Sequence, residues 1–189
     1  MLLLGVLQAQ AAGDVSFGSF DLLETQVLTS TATTVTFSGL STYASDYQHL
    51  QLRYNGRGTT TQNAPVLRFN GVTSFTSYRG HLLQGDGSSV TSASLQDANR
   101  LGMQISSIGK STDPANQFGG AVVDILDPFE TTKNTTIRSL GGTSYLLQFF
   151  SGVYLSTDAL TSMTLSFFAE GGTYAIGSRF SLYGVKGSA

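Results

Sequence analysis

The feature that most limits what this chain can become is a two-residue alternation of apolar and polar side chains that recurs along almost its whole length. Residues 49–54 place Leu50, Leu52 and Tyr54 on one side and Gln51 and Arg53 on the other. Residues 33–37 alternate in the same way, with Thr and Val supplying β-branched side chains that suit a pleated surface. A period of two is the strand period, and a helical stripe needs 3.6. Further segments of this kind lie at 24–28, 66–69, 77–83, 100–105, 120–126, 135–140, 145–154, 163–168 and 179–185. Turn signals separate them: Asn70-Gly71, Gly56-Arg-Gly58, Gly85-Asp-Gly87, Asp127-Pro128 and Gly141-Gly142. Roughly ten short strands at regular spacing predict an antiparallel β-sandwich or jelly roll. Residues 120–126 are the most apolar, and the strand containing Val122, Val123 and Ile125 is expected at the centre of the core, with Asp124 showing that one side reaches a polar partner or solvent. Helix is expected only at 1–12 and near 93–99, and residues 106–117 read as one long surface loop.

Composition agrees with a folded all-β chain. The 189 residues suffice for one domain, with an N-terminal arm over 1–15 and the sandwich over 16–189. Hydrophobic residues make up 40% and charged residues only 12%, which is the opposite of a disordered chain. The ten Lys and Arg residues are scattered singly and the net charge is −2, so no basic footprint for nucleic acid exists. With no cysteine, disulfides and thiolate metal sites are excluded.

The leading residues 1–12 have the outline of a signal peptide, with Ala9-Gln-Ala11 as a small-residue cleavage pattern. They carry no Lys or Arg, and the apolar run is too short to span a bilayer. Met1, Leu2, Leu3, Leu4, Val6 and Leu7 are instead assigned to an assembly interface, and no membrane partner is expected.

The chain is poor in catalytic residue types. His49 and His81 are its two histidines, and both sit in strand patterns. Neither a His-Glu-x-x-His motif nor a Gly-x-Ser-x-Gly elbow occurs, so a metalloprotease or a hydrolase triad has no anchor. Asp124, Asp127 and Glu130 form the one acidic cluster, suited to a calcium ion, to a glycosidase carboxylate pair or to capping an Asp-Pro turn. The aromatics over 145–154 suit either a sugar platform or a core strand whose other face meets a partner. Asn134-Thr-Thr136 matches a glycosylation acceptor, a pattern common by chance. No enzyme activity, cofactor or metal is expected.

Several stretches resemble a family of small virion proteins of tailed bacteriophages, cyanophages among them. They include Glu24-Thr-Gln-Val-Leu28, Tyr47-Gln-His-Leu-Gln-Leu-Arg53, Leu67-Arg-Phe-Asn-Gly71 and Phe118-Gly-Gly-Ala-Val-Val-Asp-Ile-Leu-Asp127. They continue through Lys133, Thr136-Ile-Arg-Ser-Leu140, Ser151-Gly-Val-Tyr154, Ala159-Leu-Thr-Ser-Met-Thr-Leu165 and Gly177-Ser-Arg-Phe-Ser-Leu-Tyr-Gly-Val-Lys186. Pro128-Phe-Glu130 departs from the family, whose members carry Tyr or Asn-rich turns there. The resemblance implies a non-enzymatic structural role in the particle, assembled in the bacterial cytoplasm. Similar sequences serve as capsid decoration (cement) proteins and as tail-fibre or tail-tip host-recognition domains. A short chain with no fibre-like repeat or coiled coil, and with an apolar arm that needs a groove, points to decoration of the major capsid protein. It is expected as a homotrimer that suits threefold-related positions, with the tail domain as the alternative.

Overall fold

The computed structural model describes residues 19–61, 63–95, 102–168 and 171–187. The proposed assembly residues Met1, Leu2, Leu3, Leu4, Val6 and Leu7 lie outside them.

Among the described residues twelve strands form an antiparallel β-sandwich. They are β1 (Phe20–Val27), β2 (Val35–Ser38), β3 (His49–Gly56), β4 (Pro65–Phe69), β5 (Tyr78–Gly85), β6 (Val90–Ser94), β7 (Met103–Gln104), β8 (Gly119–Leu126), β9 (Thr135–Gly142), β10 (Leu147–Tyr154), β11 (Ser162–Phe167) and β12 (Arg179–Val185). Eight form one sheet in the order β1-β12-β3-β8-β9-β10-β5-β6, and four form the other in the order β2-β11-β4-β7. The core fills the space between them. Leu50, Leu52, Val123, Ile125, Ile137, Phe180 and Leu182 from the large sheet are buried with Phe37, Leu67, Phe69, Met163 and Leu165 from the small one.

The Asn70-Gly71 turn forms as its sequence predicts, with φ of 50° and 72°, values that Asn and Gly tolerate. Val72 N–H closes it onto the Phe69 carbonyl at 2.8 Å. It does not make a hairpin, because β4 belongs to the small sheet and β5 to the large one. The Tyr78 hydroxyl accepts from Phe69 N–H and donates to the Val72 carbonyl, so the turn is bolted to the opposite sheet. The Gly85–Gly87 segment does close a hairpin. Asp86 accepts the backbone N–H groups of Ser88 and Ser89, at 2.9 and 2.7 Å, and both hydroxyls. Those donors hold its carboxyl well below the usual range.

Strand β8 sits fourth of eight, at the centre, as its apolar run predicts. Val123 and Ile125 are fully buried, whereas Val122 is 40% exposed. Val122 is therefore not a core residue: pleating turns every second side chain to the outer face. Three expectations are corrected. Residues 93 and 94 are strand, because Ala93 pairs with Leu82 and extends the hairpin; 96–100 lie outside the described residues. The stretch 106–117 is not wholly a surface loop. Ser106, Ser107 and Ile108 are buried, with Gln148 accepting Ser107 N–H at 2.7 Å and the Ser106 hydroxyl.

The third correction concerns Gly56-Arg-Gly58, which is extended chain rather than a turn. Arg57 bridges to Gly109 and Gly58 to Tyr174. Arg57 is 9% exposed and has no carboxylate partner among the described residues. Its guanidinium donates instead to four main-chain carbonyls, of Ser111, Asp113, Pro114 and Gln117, at 2.7–3.4 Å. A delocalised, weakly hydrated cation with a planar fork suits such a carbonyl nest, and Lys cannot reproduce it.

Candidate assembly surface

The large sheet packs its inner face on the small one, and among the described residues its outer face is left uncovered. In a sheet open to water on one side that face is ordinarily polar. Here one cross-strand row is apolar. Val122 on β8 pairs with Leu140 on β9, Leu140 with Phe149 on β10, and Phe149 with Leu83 on β5. These four neighbours are between 40% and 49% exposed. They floor a trough of about 740 Å³.

The adjacent row is polar and runs Gln51, Asp124, Arg138, Ser151 and His81 across β3, β8, β9, β10 and β5. Gln51 Nε2 donates to Asp124 at 2.7 Å, and Arg53 Nε donates to Gln51 Oε1 at 2.7 Å. Arg53 also lies over the rings of Phe20 and Tyr183, 5.4 and 4.6 Å from their centroids. Arg138 stands opposite Asp124 in register, yet forms no ion pair among the described residues. The outer face thus has two halves. One, around β1, β12 and β3, is knit together by Arg53. The other, over β8, β9, β10 and β5, presents an apolar row with the Arg138 guanidinium beside it.

A second hollow, of about 510 Å³, opens at one end of the sandwich between the 85–87 turn and the 141–147 segment. Tyr145 lies on its wall with the Lys110 ammonium 5.6 Å from the ring centroid.

The acidic cluster separates. Asp124 is tied to Gln51 on the outer face. Asp127 sits at φ 50° and accepts from Gln48 and Lys133, at 3.0 and 2.7 Å. The Lys133 ammonium holds its carboxyl below the usual range. Asp127 N–H donates to His49 Nδ1 at 3.0 Å, which makes His49 an acceptor at that nitrogen. Glu130 N–H closes the turn on the Asp127 carbonyl. Among the described residues no group of three or more His, Asp or Glu side chains is placed to hold a metal ion. His81 lies on the outer face, beside Ser151.

The aromatic run divides by strand parity. Phe150 and Tyr154 are buried in the core, and Phe149 and Tyr145 are exposed. Alternation over 145–154 foretells this split. What sequence reading misses is the row itself, because Val122, Leu140, Phe149 and Leu83 come from four strands and only the register brings them together. Among the described residues no helix is long and apolar enough to cross a membrane. Comparison with protein-family models, with curated proteins and with solved structures finds no match to this chain.

Proposed function

We propose that this protein is a non-enzymatic structural component of a tailed-phage particle, a decoration protein that binds across major capsid subunits and reinforces the head. The observation that carries the assembly half of this reading is the row Val122–Leu140–Phe149–Leu83. A solvated sheet face gains nothing from four neighbouring apolar side chains, whereas covering them with a partner releases water and favours binding. The virion half rests on the sequence resemblance described above. In this reading the protein is a homotrimer at threefold-related positions, and the leading apolar residues Met1, Leu2, Leu3, Leu4, Val6 and Leu7 add a second contact. Each copy contributes modest contacts, and many copies across subunit seams raise the cost of opening any one seam.

A second reading, a tail module that recognises a host glycan, is favoured by one observation. Tyr145 and Asp86 border the hollow at the end of the sandwich, where sandwich proteins present their binding loops.

The two readings part in one experiment. Particles with and without the protein are heated, and DNA release is measured alongside adsorption to host cells. The decoration reading predicts release at lower temperature without the protein, and lost occupancy for Phe149→Ser or Leu140→Ser. Unchanged heat stability with impaired adsorption selects the tail reading.

A further inference from the structure

Among the described residues the sandwich has four edge strands, and three are blunted. β1 carries Asp21 and Glu24, and its pairing with β12 shifts at a bulge between Leu22 and Glu24. β2 is four residues long, and the Gln26 side chain covers its Thr36 carbonyl. β7 is only two residues long. Charge, bulges and shortness are the usual devices that keep one sheet from pairing with another. β6 has none of them. Its sequence Val-Thr-Ser-Ala-Ser is uncharged and free of proline, all five residues are exposed, and its register with β5 runs without a shift.

Hydrogen-bond parity shows which groups of β6 point outward. Leu95 N–H donates to the Gly80 carbonyl at 2.7 Å, and Asp86 N–H donates to the Ser89 carbonyl at 3.2 Å. In an antiparallel ladder, bonded residues recur at every second position. Residues 89, 91, 93 and 95 therefore turn their N–H and C=O groups toward β5. Val90, Ser92 and Ser94 turn theirs away from the sheet, and they have no partner among the described residues.

We infer that β6 is a strand-addition edge whose occupant is a second copy of this chain, paired antiparallel about a two-fold axis at Ser92. The geometry favours the second copy because β6 is complementary to itself in this register. Ser92 faces Ser92 of the other copy as a bonded pair, and Val90 faces Ser94 in both directions. Every outward N–H and C=O of the strand then has a partner. A two-fold axis perpendicular to the sheet keeps both outer faces on the same side. Ser92 pairs with Leu83 on β5, so the apolar row of one copy continues through the two serines into that of its mate. The same register leaves only uncharged side chains at the seam, those of Val90, Ser92 and Ser94. A contact this short is weak between free molecules and gains strength when copies are arrayed side by side. The inference rests on sheet geometry alone and stands independently of the phage reading.

The chain has no cysteine, so single introduced thiols report the register without interference. In the inferred pair the two Ser92 Cα atoms lie about 5.5 Å apart, within disulfide reach, and the two Ser94 Cα atoms about 14 Å apart, beyond it. Under mild oxidation of the purified protein, Ser92→Cys should give cross-linked dimer about tenfold faster than Ser94→Cys or Val90→Cys. Ser92→Pro removes an N–H that β5 does not use, so the protein should keep its circular dichroism and lose concentration-dependent dimerisation in sedimentation. Ser92→Lys places two like charges at the axis and should do the same. Equal cross-linking at positions 92 and 94, dimerisation that survives a folded Pro or Lys variant, or a wild-type protein monomeric at every concentration would each overturn the inference. Particle heat stability plays no part in these readouts, so failure here leaves the decoration reading where it stood.

Discussion

Gly80 lies directly opposite Gly152 across β5 and β10, and the Met103 thioether fills the space that their missing side chains leave. A Cβ on Gly80 would stand 2.8 Å from Met103 Sδ, and one on Gly152 would overlap the Met103 methyl. The pair is thus a socket through which the small sheet's last strand engages the large sheet.

Substitution here separates flexible neighbours from rigid ones. A Cβ on Gly152 also meets the Arg79 carbonyl at 2.6 Å, and backbone cannot step aside; on Gly80 the nearest backbone atom is at 3.2 Å. Gly152→Ala should cost about 2–3 kcal/mol in urea unfolding, and Gly80→Ala less. In a Met103→Ala background the cost of Gly80→Ala should shrink, a coupling that a double-mutant cycle reads directly.

The two faces of β8 should respond oppositely to one change. Ile125→Asp puts a charge with no partner into the core and should cost more than about 4 kcal/mol, giving insoluble or unfolded protein. Val122→Asp, three residues away on the outer face, should alter stability by only about 0.5 kcal/mol while lowering occupancy on particles. Normal folding of the Ile125 variant would contradict the placement of β8 at the centre of the core.

Arg57→Lys should destabilise by about 2 kcal/mol, although charge is conserved. An ammonium offers a point charge where four carbonyls expect a fork. The variant should be cut within residues 110–117 by a protease that leaves the wild type intact, which distinguishes a loosened loop from global unfolding.

Alkaline pH should unfold the sandwich through its buried phenols. Burial pushes Tyr78 up to about 12, and it raises Tyr54 and Tyr174 as well. A folded-state value above the unfolded one contributes stability that is complete below the ordinary tyrosine range. That stability is lost as pH rises through the folded value. Between about pH 10 and 12 stability should therefore fall with pH, and tyrosinate absorbance should rise in step with the loss of β-sheet circular dichroism. Early ionisation of all eight tyrosines with the fold intact would refute the burial of these three.

Local pattern made the strands legible, and long-range partners decided what was not. The alternation over 49–54 names the buried side of β3 correctly, because Leu50, Leu52 and Tyr54 share one face. In β8 both faces are apolar at Val122 and Val123, so pattern alone cannot say which side meets water. Ser106 and Ser107 read as loop because serine is polar. They are buried because Gln148, far along the chain, supplies their acceptor. Arg57 reads as a turn residue between two glycines, and its partners lie 54 to 60 positions away. The outer apolar row belongs to the same class: each residue is visible alone, and the register that joins them is not.

The Arg57 nest has a consequence for what this scaffold can carry. The guanidinium holds the 111–117 segment through main-chain oxygens, which every amino acid supplies. The side chains at Thr112 and Ala115 take no part in that grip and are exposed. This corner can therefore exchange its side chains while the anchoring geometry persists, much as an antibody framework carries its variable loops. For engineering, it is the place to graft a foreign epitope or an affinity tag.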